Sequence, residues 1–209
     1  MSMQDEIGIL KEVGSIAAAH GGIALSEILK KKILLCVPQT EVISHKSLGT
    51  KIDLETVGVA VYSKVLSGIK NGRVIFLLDE KNAFRLNDIS YKIRAEDKRS
   101  GVLTEIGMSL IKEIGSMVTS AYVTALGMMF KRVILTSPPT LISGTIREIL
   151  NITVFSGTDT ADTEGFILLV EVKFEEPEEK INGTFYLVLT PQAADEIVEI
   201  CRRVLELLQ

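Results

Sequence analysis

The feature that most constrains this chain is an internal repeat between two of its segments. Residues 11–38 and 112–139 align without a gap, and ten of the 28 aligned positions carry the same amino acid. The repeated residues are Lys11, Glu12, Gly14, Ser15, Ala24, Leu25, Lys30, Ile33, Leu34 and Pro38, which recur as Lys112, Glu113, Gly115, Ser116, Ala125, Leu126, Lys131, Ile134, Leu135 and Pro139. Such a repeat indicates that one structural unit occurs twice in the fold.

The repeat predicts the same order of elements in both halves. Each half reads as a helix, two strands, a hairpin turn, a returning strand and a closing helix. The opening helices are predicted at 4–30 and 103–130, and the buried side of the second one is predicted to include Met117 and Met128. The hairpin turns are predicted at the two Asn-Gly pairs, Asn71-Gly72 and Asn182-Gly183.

The number of strands favours one domain over two. Three strands in each half would leave the edges of two small sheets bare, whereas a merged sheet covers two of those edges. We therefore predict a single domain over 1–209, built from repeats at about 1–95 and 101–209. Its mixed α/β fold has one central, mostly antiparallel sheet of about six strands, flanked by the two long helices and further helices. A short helix at 141–150 is predicted in the second half alone.

Composition excludes several classes of function. The net charge is −4 and Lys and Arg form no block, so nucleic-acid binding is not expected. The two histidines and two cysteines form no cluster with the spacing of metal ligands or of a catalytic triad, so neither site is predicted. No leader-like pattern and no apolar run of membrane-spanning length occurs, which predicts a cytoplasmic protein without membrane contact.

The repeated polar residues indicate a binding surface. On a helix, Glu12 and Ser15 are neighbours on the outer side, and Glu113 and Ser116 repeat this arrangement. An exposed helical Glu is usually only solvated, but its recurrence with the same spacing suggests a partner that lies across the helix. A hydroxyl and a carboxylate can orient a water or pair with a partner's Lys, yet cannot alone supply strong acid–base catalysis.

These residues resemble the signature of the CheC family, [DS]-x3-E-x2-N-x22-P, which occurs twice in its members. Glu12 and Pro38 keep this spacing in the first half, and Glu113 and Pro139 keep it in the second. The resemblance covers essentially the whole chain. It implies a pseudo-two-fold α/β domain with one central sheet and with the motifs on two long helices.

The resemblance also implies a partner and a reaction. CheC and its relatives CheX and FliY act on the phosphorylated response regulator CheY; the motif Glu pairs with the regulator's active-site Lys, and the motif Asn orients the attacking water. The aspartyl phosphate and Mg²⁺ belong to the partner, so no cofactor is expected in this chain. The candidate catalytic positions are Glu12, Ser15, Glu113 and Ser116, and the candidate partner-binding positions are Ser109, Pro38, Pro139 and Leu141.

Two departures from the signature bear on activity. The Asn position holds Ser15 in the first motif and Ser116 in the second, and a Ser hydroxyl is shorter than a carboxamide and has one donor hydrogen rather than two. The leading position is Gly8 in the first motif and Ser109 in the second, so the second motif is closer to the family pattern.

Three functions remain open. The chain could be a binding module with little or no turnover that docks on CheY or, through the segment 141–150, on the receptor deamidase CheD. It could be an active phosphatase that uses Ser in place of Asn. It could also be a flagellar or archaellar switch component of the FliM and FliY lineage, although no FliN-like domain or CheY-binding peptide is evident.

Overall fold

The computed structural model describes residues 3–44, 54–69, 71–90, 104–155 and 166–206. Its helices are α1 (Met3–Leu29), α2 (Glu80–Ser90), α3 (Glu105–Phe130), α4 (Ile146–Leu150) and α5 (Pro191–Glu206), and a π-helical turn follows α4 at Asn151–Phe155. Its strands are β1 (Leu34–Leu35), β2 (Gln39–Ser44), β3 (Val57–Ser67), β4 (Arg73–Asp79), β5 (Leu135–Thr136), β6 (Thr140–Thr145), β7 (Phe166–Glu176) and β8 (Ile181–Leu189). The predicted mixed α/β class and mostly antiparallel sheet are confirmed.

The two halves exchange strands within one sheet. The first half contributes the hairpin β3–β4 and the second half the hairpin β7–β8, and β4 pairs with β8 in the centre. The short strands cross over, since β1 and β2 pair with β7 while β5 and β6 pair with β3. Each half therefore supplies the outer strands beside the other half's hairpin.

The sheet has eight strand segments where about six were predicted. The difference arises because each edge strand of the sheet is interrupted once. One edge is divided into β1 and β2 near Pro38, and the other is divided into β5 and β6 near Pro139. Proline has no N–H to donate, so it is confined to edge strands or to breaks in the ladder. The backbone bonds beside the two breaks match: the Cys36 N–H donates to the Lys173 carbonyl and the Ser137 N–H to the Lys64 carbonyl, both at 2.8 Å.

Both long helices lie on the same face of the sheet, α1 against β7 and α3 against β3, and they also pack on each other. The motif glycines allow this close approach. A Cβ at Gly115 would lie 2.6 Å from two side-chain carbons of Val61, and a Cβ at Gly14 would overlap a methyl group of Val170. Gly14 and Gly115 therefore determine how near the motif helices come to the sheet.

The opposite face of the sheet carries a second, smaller core. Alternate strand residues such as Ile75, Leu169 and Val188 point to this side, where α4 and the π-helical turn cover them. The insertion in the second half therefore supplies the cover for a face that the motif helices do not reach.

Two turn and boundary predictions are wrong. The residues predicted as a helix at 141–150 form strand β6 first, and the helix α4 starts only after Thr145, whose side chain forms a capping box with Glu148. The second hairpin turns at 177–180 instead of at Asn182-Gly183. There the buried Glu176 carboxylate accepts hydrogen bonds from the backbone N–H groups of Glu178 and Glu179, at 3.3 and 2.6 Å, and so stabilises the turn.

Gly183 serves a different purpose from the one predicted. It lies inside β8, where any Cβ would overlap the ring of the buried Phe174. The ring of Phe174 in turn stacks on Phe76 with centroids 5.6 Å apart. The glycine is therefore required by core packing on the neighbouring strand and not by a positive φ angle.

Candidate functional site

Glu12 and Glu113 occupy equivalent places on the outer sides of α1 and α3. Both side chains are exposed, and within the described part of the chain neither forms a hydrogen bond or a salt bridge. Their carboxylates are therefore open to a partner, as predicted from the outer side of each helix. Each is separated from the core by the glycine two positions later, which lies against the sheet.

Ser15 and Ser116 lie one turn after the carboxylates and are half-buried. Residues three apart on a helix are surface neighbours, so each Ser sits beside its Glu at the edge between the exposed and the buried side. At the second motif the buried Thr119 hydroxyl donates to the carbonyl oxygens of Gly115 at 2.8 Å and Ser116 at 3.1 Å.

The second motif presents a longer exposed face than the first. Ser109 is exposed one turn before Glu113 and lies on the same side of α3, whereas its counterpart Gly8 has no side chain to present. The residues Ser109, Glu113 and Ser116 form what we call the α3 face; Glu12 and Ser15 form the α1 face.

Two apolar side chains beside the α3 face were not predicted. Ile106 and Met117 are 68% and 51% exposed, and they lie seven residues before and four residues after Glu113, on the same side of the helix. The placement of Met117 and Met128 on the buried side was therefore wrong, since Met128 is also 58% exposed. The spacing of four from Glu113 is the signal that could have identified Met117.

The remaining predicted partner-binding residues belong to the edge strands of the sheet and not to the helix faces. Pro38 and Pro139 are half-buried at the interruptions of the two edge strands. Leu141 is half-buried on β6, opposite Val61, on the side of the sheet that α3 covers. In each half, therefore, the motif Glu lies at an exposed helix position and the motif Pro lies where the edge strand is interrupted.

Metal and membrane features were searched among the described residues. They contain no group of three or more His, Cys, Asp or Glu side chains placed to hold a metal ion. None of the helices described is both long and apolar enough to cross a membrane.

Comparison with known proteins identifies relatives of this chain. Residues 106–143, which contain the second motif, match the model of the CheC-like family. The CheY-P phosphatase CheC of Bacillus subtilis is 26% identical over 143 residues, covering 65% of each chain. The matched region is thus less than two thirds of that relative's length.

Solved structures share the fold. FliY of Thermotoga maritima aligns over 97% of this chain and 98% of its own, with 21% identity and a TM-score of 0.77. CheX of Borrelia burgdorferi, solved in a complex with CheY, BeF3 and Mg²⁺, aligns over 85% of this chain and 96% of its own, with 16% identity and a TM-score of 0.51. The family model, the curated relative and the fold together confirm the resemblance to the CheC family that the paired motifs indicated.

Proposed function

We propose that this CheC-like protein docks on a CheY-type response regulator through the α1 face and the α3 face. The observation that carries the proposal is the exposure of Glu12 and Glu113, which recur in both halves although nothing in the described structure uses their carboxylates. The complex of CheX with CheY, whose CheX chain has the fold seen here, supports a CheY-type partner.

Several other repeated residues have structural reasons to recur. Leu25 and Leu126 are fully buried, and Gly14 and Gly115 meet the sheet. Lys30 and Lys131 have positive φ angles of 54° and 51° just beyond the helix ends. The two glutamates have no such structural explanation, so we infer that their shared role is to pair with a cation on a partner, which the resemblance identifies as the regulator's active-site Lys.

Turnover depends on the two serines. Hydrolysis of an aspartyl phosphate requires a water oxygen to attack phosphorus while the bond to the aspartate oxygen breaks, which gives inorganic phosphate and a free carboxylate. Ser15 and Ser116 are half-buried, and the shorter hydroxyl reaches less far from the helix than a carboxamide. Loss of one transition-state hydrogen bond costs about 10²–10³ in rate, so we expect docking with weak or absent hydrolysis. The reaction would use Mg²⁺ carried by the partner.

An active phosphatase is the second candidate, and the name of the relative from Bacillus subtilis favours it. The experiment that separates the two measures phosphate release from phosphorylated CheY by the wild type, by Ser15→Asn/Ser116→Asn and by Glu113→Ala. Release that appears only in the Asn variant supports docking without turnover. Wild-type release that Glu113→Ala abolishes establishes the phosphatase and contradicts our proposal.

Docking itself needs a separate measurement. We expect BeF3-activated CheY to bind the wild type and to bind Glu12→Ala/Glu113→Ala at least tenfold more weakly, since a hydrogen bond to a charged group contributes about 1.5–3 kcal/mol. The matched control is Glu80→Ala, which removes an exposed glutamate of α2, a helix that carries neither motif. Equal affinities for all three proteins would refute the docking proposal.

We also propose CheD as a partner of the inserted segment of the second half. This segment, α4 with the π-helical turn, covers the second core, and its Ile152 is 43% exposed. Capture of CheD by the wild type and loss of capture by Ile152→Asp would support this. Capture that is unchanged in Ile152→Asp would place CheD elsewhere.

A further inference from the structure

A groove of about 360 Å³ lies along the second half of α1. Its lining includes Gly22, Ile23, Ile33 and Leu35, with Glu27 and Lys32 at the charged positions. A Cβ at Gly22 would be 3.4 Å from Leu35 and 3.7 Å from Ile33, so these two side chains form the apolar floor under the glycine. Ile23 is 56% exposed beside it. We call this feature the α1 groove.

The α1 groove has no equivalent at the corresponding positions of the second half. The position of Gly22 is taken on α3 by Val123, which is 7% exposed and packs into the main core. The position of Lys32 is taken by Val133, and that of Ile23 by Thr124. The equivalent place in the second half is therefore occupied by the chain's own side chain, and only α1 has a glycine there.

The groove continues the α1 face. Residues 12, 19 and 23 lie within about 20° of one line along the helix, because 3.6 residues make one turn. Gly22 is ten positions after Glu12, which places it about 15 Å further along the axis. A protein that docks on Glu12 and covers a usual area of about 800 Å² on its partner is large enough to reach the groove.

We propose that the α1 groove receives an apolar side chain of the response regulator that docks on Glu12 and Ser15. This inference rests on the proposed function, because the regulator is the occupant that the neighbouring carboxylate would hold in place. The apolar floor suits an aliphatic or aromatic side chain, while Glu27 and Lys32 present one charge of each sign to the polar groups around it. The groove would make α1 and α3 different docking surfaces for one partner.

The test fills the α1 groove with the side chain that α3 has at the equivalent position. Gly22→Val introduces the side chain that the second half has at this position, and Gly22→Ala is the matched control that removes the glycine but adds one carbon, for which there is room. Both are made in a Glu113→Ala background, so that binding through α1 is measured. We expect Gly22→Val to weaken binding of BeF3-activated CheY about tenfold, as for one excluded apolar side chain, and Gly22→Ala about twofold or less.

The failures of the two proposals are distinguishable. If Glu12→Ala in the same background weakens binding while Gly22→Val binds as well as Gly22→Ala, the groove proposal is overturned and the docking proposal stands. If Glu12→Ala has no effect, the docking proposal itself fails on α1, and the groove proposal fails with it.

Sedimentation adds a third outcome: a dimer of the parent protein that Gly22→Val dissociates would show that a second copy of the chain occupies the groove, and would also overturn the proposal. Thermal melts of both Gly22 variants verify folding, which a helix interior without glycine favours.

Discussion

The helices α1 and α3 are alike where they meet the sheet and different where they face outward. Each packs through a glycine onto a valine of the facing hairpin strand, Gly14 on Val170 and Gly115 on Val61. Each is followed by a Lys with positive φ. On the outer side, α3 presents exposed apolar residues and a serine before its glutamate, whereas α1 presents the groove beside Gly22.

This difference separates the constraint of the fold from that of the partner. A helix that packs between a sheet and another helix has little freedom at the glycine, since one added methyl group overlaps the strand below. The residues of the α1 face and the α3 face point away from the sheet, so the two copies are free to diverge there. The exposed glutamates, and the lysines Lys11 and Lys112 that precede them, are exceptions, because they stay the same in both copies although no described contact requires it.

The largest expected effect tests the shared contact with the sheet. We expect Gly115→Ala to lower the free energy of unfolding by about 3 kcal/mol and Gly14→Ala by about 1 kcal/mol, within the range known for overpacked cores. The Cβ of Gly115→Ala would meet both Cβ and Cγ2 of Val61 at 2.6 Å, which no rotamer change relieves. At Gly14 the overlap is with one methyl group of Val170, whose Cβ is 3.6 Å away, so rotation about χ1 gives room. Urea unfolding of both variants measures the difference.

Removal of the strand methyl groups is the control for this prediction. We expect Val61→Ala to be destabilising alone but to offset part of the loss in Gly115→Ala, with a coupling energy of about 1–2 kcal/mol in a double-mutant cycle. Equal losses for Gly14→Ala and Gly115→Ala, or additive losses for Val61→Ala and Gly115→Ala, would show that the two helices do not approach the sheet as described.

A smaller effect is expected on the outer faces. In a Glu12→Ala background, which leaves α3 as the docking helix, we expect Met117→Ser to weaken binding of BeF3-activated CheY about fivefold, as for an apolar contact of about 1 kcal/mol. Met117 is 51% exposed, so the substitution should leave the melting temperature within a degree or two, as is usual for surface changes.

The equivalent residue of α1 is the control. Ile16 is half-buried, so Ile16→Ser should lower the melting temperature instead of acting through binding alone. Titration calorimetry and thermal melts distinguish these results. If Met117→Ser destabilises the protein as much as Ile16→Ser does, the outer faces of the two helices differ less than their exposed fractions indicate.

The sequence predicted the two motif helices and the exposed glutamates well, for a physical reason. A gapless repeat places Glu12 and Glu113 in equivalent surroundings, and helical periodicity then assigns both to the outer side. Periodicity failed at Met117 because α3 packs on both the sheet and α1, and the boundary between its buried and exposed sides depends on that arrangement. The α1 groove could not be predicted at all, since it results from the distance between Gly22 and Leu35, which are not neighbours in sequence.

Turn chemistry failed where side chains outside the turn decide it. Asn182-Gly183 has the composition of a tight hairpin turn, but the ring of Phe174 needs the space above Gly183 and the Glu176 carboxylate stabilises a turn earlier in the chain. The start of α4 was wrongly predicted at 141, although Thr145 and Glu148 have the spacing of a capping box and could have placed it correctly.

The smallest effect concerns α4, the short helix that covers the second core. The Thr145 backbone N–H and hydroxyl both donate to one oxygen of Glu148 at 2.8 Å, and these bonds hold the pKa of the Glu148 carboxyl below its ordinary value of 4.5. Because the pKa is lower in the folded chain than in the unfolded one, the stabilisation is fully present above about pH 4.5 and is lost as the pH falls through the folded value. We therefore expect wild type to melt slightly higher than Glu148→Gln at pH 7, and the gap to close as the pH falls below 4.5.

The cap itself provides the control for that pH dependence. Thr145→Val removes the hydroxyl that both accepts from the Glu148 N–H and donates to its carboxylate, and loss of an N-cap costs about 1 kcal/mol. In the Thr145→Val background we expect Glu148→Gln to produce a smaller gap at pH 7 than in the wild type, since fewer donors then favour the charged carboxylate. A gap that persists unchanged at pH 3, or that is the same in both backgrounds, would show that Glu148 does not stabilise α4 through its charge. The insertion would then be held in place by its buried residues Ile146, Ile149 and Leu150 and by the backbone bonds from Ile146 to Thr56 and from Arg147 to Leu54.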